Sequence, residues 1–140
     1  MKKIIYPIIM IIIAIVLILA LVNADIITLS NTPQNNSEKI QATLIINYGN
    51  QTTEKYNITL TNATVYSMLM KASETYNFTV KDVYYEEYQT YIIQSINSTE
   101  NKNQSYWQYY INDEYGTKAA DQQKVQNNDI VEWKYEKTKR

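Results

Sequence analysis

Tyr56-Asn57-Ile58-Thr59-Leu60-Thr61-Asn62-Ala63-Thr64-Val65-Tyr66-Ser67-Met68-Leu69-Met70-Lys71-Ala72 changes its hydrophobic period halfway along. Before Asn62, the apolar residues Tyr56, Ile58 and Leu60 alternate with Lys55, Asn57 and Thr59, as in a strand with one buried face. After it, Val65, Met68, Leu69 and Ala72 fall at helical spacing, with Ser67, Lys71 and Glu74 on the opposite face and Thr64 placed to cap the first turn. A strand running into one short amphipathic helix requires a sheet for that helix to cover, so the fold class is α+β.

The sheet is legible on both sides of this stretch. Ala42, Leu44, Ile46 and Tyr48 alternate with Thr43, Ile45 and Asn47, and Tyr48-Gly49-Asn50-Gln51 supplies a turn, so a hairpin precedes the helix. Strand character returns at Thr79 to Tyr85 and at Tyr88 to Ile96. After a polar tip from Asn97 to Gln104 it resumes at Tyr106 to Asn112. The last strand is the clearest: Val131, Trp133 and Tyr135 are expected to face the core while Ile130, Glu132, Lys134 and Glu136 face water, after a turn at Asn127-Asn128-Asp129. Strand, strand, helix, then three or four strands is the order of a small β-grasp-like domain over residues 40–136.

Four segments also carry a family likeness. Ala42-Thr43-Leu44-Ile45-Ile46-Asn47-Tyr48, Ala63-Thr64-Val65-Tyr66-Ser67-Met68-Leu69, Tyr106-Trp107-Gln108-Tyr109-Tyr110-Ile111-Asn112 and Asn128-Asp129-Ile130-Val131-Glu132-Trp133-Lys134-Tyr135 resemble the transcobalamin C-terminal-like family of domains of unknown function, whose relatives include the small β domain of cobalamin carriers. The chain departs from the family pattern at two turns, with Asp113 where Asn-Gly is usual and Asn128 where Gly-Asp is usual. The resemblance implies a β domain that closes over ligand held mainly by a helical domain. No such helical domain stands in this sequence, so cobalamin binding is not carried over to particular residues.

Ahead of the domain, Lys2 and Lys3 precede an apolar run from Ile4 to Val22, broken only by Tyr6 and Pro7. As a helix this run would span about 28 Å, close to the thickness of a bilayer core. Residues 1–24 therefore read as a transmembrane anchor or a signal segment, and the lysines place everything after Val22 on the outer face. Val22-Asn23-Ala24 is an acceptable cleavage site, which would give a secreted protein, but the length of the run favours an intact single-pass anchor. Residues 25–39 read as a polar stalk and residues 137–140 as a basic tail, with Lys134 counted among its solvated charges.

Composition closes off several functions. The chain has no Cys and no His, which removes disulfides, thiolate zinc sites, imidazole bases and the Ser-His-Asp and Cys-His pairs. Gly49 and Gly116 are its two glycines, so no phosphate-cradling loop can be written, and a net charge of -1 speaks against nucleic acid as a partner. Neither Glu86-Glu87 nor Asp113-Glu114 reads as a catalytic or metal pair: the first is expected on a strand, where neighbours point to opposite faces, and the second in a turn. No cofactor or metal site is expected.

Seven Asn-x-Ser/Thr sequons stand at Asn35, Asn50, Asn57, Asn62, Asn77, Asn97 and Asn103. The abundance of Asn, Ser and Thr would place about two by chance, so N-glycosylation of a surface protein is expected. A glycosylated, cysteine-free, membrane-anchored domain suits an archaeal cell envelope. The densest feature is aromatic. On the strand from Tyr106, Trp107, Tyr109 and Ile111 form one set, expected in the core, and Tyr106, Gln108, Tyr110 and Asn112 form the other. The second set combines flat apolar area with hydrogen-bonding groups, which a sugar, a corrinoid-like small molecule or an envelope protein could use. The expected function is a non-catalytic cell-surface binding or adhesion module, the alternative being a structural envelope or pilin-like subunit with a packing helix and a glycosylated head.

Overall fold

The computed structural model describes residues 38–138, and these form two sheets and one helix. The expected anchor, most of the stalk, the Asn35 sequon and residues 139–140 lie outside the described residues. Among the described residues no helix is long and apolar enough to cross a membrane.

The larger sheet takes its centre from both ends of the domain. β1 (Lys39–Asn47) pairs antiparallel with β2 (Thr53–Thr61) and parallel with the last strand, β8 (Ile130–Lys137). β6 (Ser105–Ile111) lies antiparallel on the other side of β8, and the short β7 (Glu114–Tyr115) adds to β6, giving the order β2-β1-β8-β6-β7. A second sheet of three strands holds β3 (Val80–Tyr85), β4 (Thr90–Ile96) and β5 (Thr99–Glu100) in the order β3-β4-β5.

The helix α1 (Val65–Tyr76) starts where the period changes. Thr64 caps it reciprocally: the Ser67 N–H donates to Thr64 Oγ1 at 3.1 Å and the Thr64 N–H donates to Ser67 Oγ at 2.8 Å. Two further first-turn donors are met by the long segment before β8, since the Val65 and Tyr66 N–H groups donate to the carbonyls of Gln123 and Ala120. The helix ends at Asn77, which takes the left-handed conformation at φ 58° that glycine usually fills. Val65, Met68, Leu69 and Ala72 are buried, and with Leu44, Ile46, Ile96, Val131 and Trp133 they make a core that lies entirely within residues 42–133.

Four expectations need correction. The polar tip from Asn97 to Gln104 is not all loop, because Thr99 and Glu100 pair with Ile96 and Ser95 as β5. Glu86 and Glu87 stand in the turn between β3 and β4 rather than on a strand. Glu114 opens β7 rather than sitting in a turn, since the turn is only Asn112-Asp113. Glu132, Lys134 and Glu136 face away from the core as expected, yet they are half-buried and engaged: Asn47 Nδ2 donates to Glu132 Oε1 at 2.9 Å, and Lys134 Nζ lies 3.1 Å from Glu136 Oε2. Lys134 therefore belongs to the sheet and not to a solvated tail.

Candidate functional site

The pleat of β6 divides its residues as the sequence does. Trp107 and Tyr109 are buried, whereas Tyr106, Gln108 and Tyr110 project from the sheet face opposite α1. Register with β8 then decides what each of them meets. Tyr106 lies across from Glu136, Gln108 from Lys134, and Tyr110 from Glu132. On the far side, the two-residue turn Asn112-Asp113, with φ 50° and 67°, returns the chain so that Tyr115 stands opposite Tyr110.

The result is a small aromatic corner with charge beneath it. The Tyr110 and Tyr115 rings meet edge to face, with centroids 5.6 Å apart and planes at 73°. Lys134 Nζ sits 5.6 Å from the Tyr110 ring centroid, within cation–π range, while its ammonium also pairs with Glu136. The Tyr110 hydroxyl donates to Glu136 Oε1. That bond to a carboxylate, reinforced by partial burial, pushes the Tyr110 phenol up to about 12, because ionisation would set two negative charges side by side. Gln108 adds a side-chain amide whose Nε2 is buried without a hydrogen-bond partner. Gln108, Tyr110, Asp113, Tyr115, Glu136 and Thr138 surround an open cavity of about 400 Å³.

Asn112 does not join this group. It lies past the end of β6, where its Nδ2 donates to Asp129 Oδ1 and its Oδ1 accepts the Ile130 N–H, both at 2.9 Å. Its amide fastens the β6–β7 turn to the start of β8. In its place the fold supplies Tyr115, Lys134 and Glu136. The signal for Tyr115 was present in the sequence: two tyrosines flanking an Asn-Asp pair at hairpin spacing.

A second aromatic group lies on the smaller sheet. Tyr66 of α1 stacks on Tyr91 at 4.7 Å and 17°, and Tyr84 leans on Tyr91 at 5.0 Å. The Tyr66 hydroxyl donates to Asp82 Oδ2, and burial together with that bond raises its pKa. Tyr84, Tyr85, Tyr88 and Ile92 remain exposed around this hairpin. Among the described residues, no group of three or more Asp and Glu side chains is placed to hold a metal ion.

The sequons divide by environment. Asn50, Asn57, Asn62, Asn77 and Asn103 are exposed. Asn97 is half-buried, and both ends of its amide are engaged: Nδ2 donates to the Tyr48 hydroxyl at 2.6 Å and Oδ1 accepts the Thr79 N–H at 3.3 Å. Asn62, Asn77, Asn97 and Asn103 all have positive φ, so turn geometry gives these asparagines a second reason to be where they are.

Comparison with known proteins agrees with the architecture. Residues 62–137 match the family model described as a domain of unknown function, DUF4430. A crystal structure from Ruminococcus gnavus ATCC 29149, of a protein named as a candidate metal-binding protein, superposes with a TM-score of 0.57 at 22% identity, covering 71% of this chain and 99% of that one. Haptocorrin in its complex with Cbi superposes with a TM-score of 0.63 at 19% identity over 75% of this chain, which spans only 27% of haptocorrin. At these identities the likeness is one of fold. No curated protein matches the chain in sequence.

Proposed function

The chain belongs to the DUF4430 family, a transcobalamin-like domain of unknown function, and from that premise we propose that it is an exported, non-catalytic ligand-binding module of the cell surface. Its β-grasp-like domain would be held at the membrane by residues 4–22, or released by cleavage after Ala24. The binding face is the outer surface of β6, β7 and β8, and Tyr106, Gln108 and Tyr110 of the expected set contribute to it. The observation that carries this reading is the Tyr110–Tyr115 corner, where two aromatic rings, the carboxylates of Asp113 and Glu136 and the side chains of Gln108 and Thr138 line one cavity, with the Lys134 ammonium against the Tyr110 ring.

Size narrows the ligand. About 400 Å³ lies toward the lower end of ligand pockets, which run from about 300 to 1,000 Å³. One or two sugar rings would fit. A corrin ring could present only an edge here and would need a second protein to cover the remainder, as the family resemblance implies. The exposed sequons at Asn50, Asn57, Asn62, Asn77 and Asn103 are proposed to carry glycans, in keeping with an archaeal envelope, while Asn97 is not.

The test is a binding screen of the full chain against glycans, corrinoids and envelope proteins. Tyr110→Ala and Tyr115→Ala should each weaken a true hit about five- to thirtyfold, since a stacked ring contributes on the order of 1–2 kcal/mol. Neither ring belongs to the core, so both variants should still fold, Tyr115→Ala with little change in unfolding midpoint and Tyr110→Ala with the loss of its bond to Glu136. A hit unaffected by both substitutions would remove this face from consideration.

A further inference from the structure

Among the described residues, Asn57 carries the one sequon that lies within a strand; the others stand in turns and bends. Alternation puts its side chain on the face of the large sheet opposite α1, and register sets its neighbours. Asn57 lies across from Thr43 and Thr43 from Ile130, while Gln41 lies across from Thr59. With Asn128 these residues line an open groove of about 410 Å³ that shares no wall with the Tyr110–Tyr115 corner. Two bonds fix Asn57 beside it. Its carbonyl accepts the Tyr76 hydroxyl at 3.2 Å and its Oδ1 accepts the Thr43 hydroxyl at 3.4 Å. Nδ2, the atom that N-glycosylation modifies, is left without a partner among the described residues, on an exposed side chain of an edge strand that a transferase can reach. Across the groove, about 10 Å or two strand spacings away, Ile130 keeps 44% of its surface exposed among polar neighbours.

We propose that the glycan on Asn57 lies down in this groove instead of projecting into solvent, its first one or two sugar rings covering Ile130. This rests on the reading that the exposed sequons are glycosylated, and adds where this one glycan sits. Attachment bonds Asn57 Nδ2 to the anomeric carbon of a phosphate-activated sugar donor, whose phosphate leaves and takes up the amide proton. The apolar face of a ring then covers Ile130, and its hydroxyls meet the side chains of Gln41, Thr59 and Asn128, which have no other partner among the described residues. Because the sugar is tethered inside the groove, it needs little affinity of its own to stay there. The outer face of the sheet is thereby divided: the glycan covers β2, β1 and the start of β8, and the corner on β6, β7 and the rest of β8 stays open to ligand.

The test uses the full chain made in a host whose N-glycans begin with two N-acetylglucosamine rings. Glycopeptide mapping establishes that Asn57 is modified, and nuclear Overhauser contacts should then join sugar ring protons to the Ile130 methyls. In urea denaturation, the glycosylated chain should show a folded-to-unfolded ratio about fivefold above that of Asn57→Gln, from the apolar surface covered at Ile130. Repeated in an Ile130→Ser background, the same comparison should give less than about twofold. Ile130→Ala serves in its place if the serine variant folds poorly. Unmodified Asn57 would overturn the sequon reading at this position and the proposal with it. Modified Asn57 without contacts to Ile130, or with an equal gain in both backgrounds, would overturn the proposal alone.

Discussion

Gly116→Ala tests whether the ring of Tyr109 is as tightly held as its surroundings imply. A Cβ at residue 116 would lie 2.1 Å from Tyr109 Cε2 and Cζ and 2.6 Å from Cδ2. To restore an ordinary carbon separation of about 3.5 Å, the ring would have to retreat by at least about 1 Å. Three contacts hold it where it is. Tyr109 is 7% exposed, its hydroxyl is bound to Lys118 O, its ring abuts Trp133 at 5.7 Å, and its own carbonyl accepts the Gly116 N–H at 2.9 Å. Overpacking a core ring costs about 1–3 kcal/mol and the loss of the hydroxyl bond about 1 more, so the variant should be destabilised by about 2–4 kcal/mol. Urea denaturation should show this as a lower midpoint with an unchanged slope. The cause can be isolated in a double-mutant cycle with Tyr109→Leu, which removes the two atoms at 2.1 Å. In that background Gly116→Ala should cost less than about 0.5 kcal/mol. A small loss in the wild-type background, or the same loss in both, would refute the account.

Other expectations follow from the caps, the phenols and the sequons. Thr64→Ala removes one arm of the capping box and should cost about 1 kcal/mol in the same denaturation assay, while Ser67→Ala, which removes the other, should cost a comparable amount. Burial and a shared bond to Glu54 push the phenols of Tyr48 and Tyr56 up to about 12, and the bond to Glu136 does the same for Tyr110. Because the folded state holds these protons more tightly than the unfolded chain, the stability they contribute is complete below pH 10 and is lost as pH rises toward 12. Ultraviolet titration should therefore find a class of tyrosines ionising only with unfolding, and Tyr110→Phe should flatten the alkaline loss. In native material, glycopeptide mapping should find modified asparagine among Asn50, Asn57, Asn62, Asn77 and Asn103 and none at Asn97, whose amide is committed to Tyr48 and Thr79. Occupancy at Asn97 would contradict that environment.

Local patterns were readable because local forces set them. The β1–β2 hairpin, the Thr64 cap, the buried face of α1 and the alternation of β8 all follow from side-chain period and capping chemistry within a dozen residues. What could not be read depends on partners distant in the chain. Nothing near Thr99-Glu100 marks it as a strand, since only pairing with Ser95 and Ile96 makes it one. The separation of β3, β4 and β5 into their own sheet leaves no local trace. The site shows the same division. Tyr106, Gln108 and Tyr110 share a face by alternation alone, but Lys134 and Glu136 become part of that site only through the register of β8 against β6. Asn112 was misleading for a similar reason: continued alternation would keep it on the face, and a positive-φ turn takes it off. Asparagine and aspartate at such turns also explain how the chain manages with two glycines.

The parallel pairing of β1 with β8 bears on how the domain carries load. The two strands run side by side from Thr43 opposite Ile130 to Asn47 opposite Lys134, with the amino end of the first and the carboxyl end of the second leaving the sheet in opposite directions. Tension applied between Lys39 and Lys137 would therefore slide these strands past each other, so that their hydrogen bonds must break together rather than one by one. A head tethered at β1 and gripped through β8 would resist pulling by shear, the stronger geometry, whereas the β1–β2 hairpin would unzip if pulled apart at its open end.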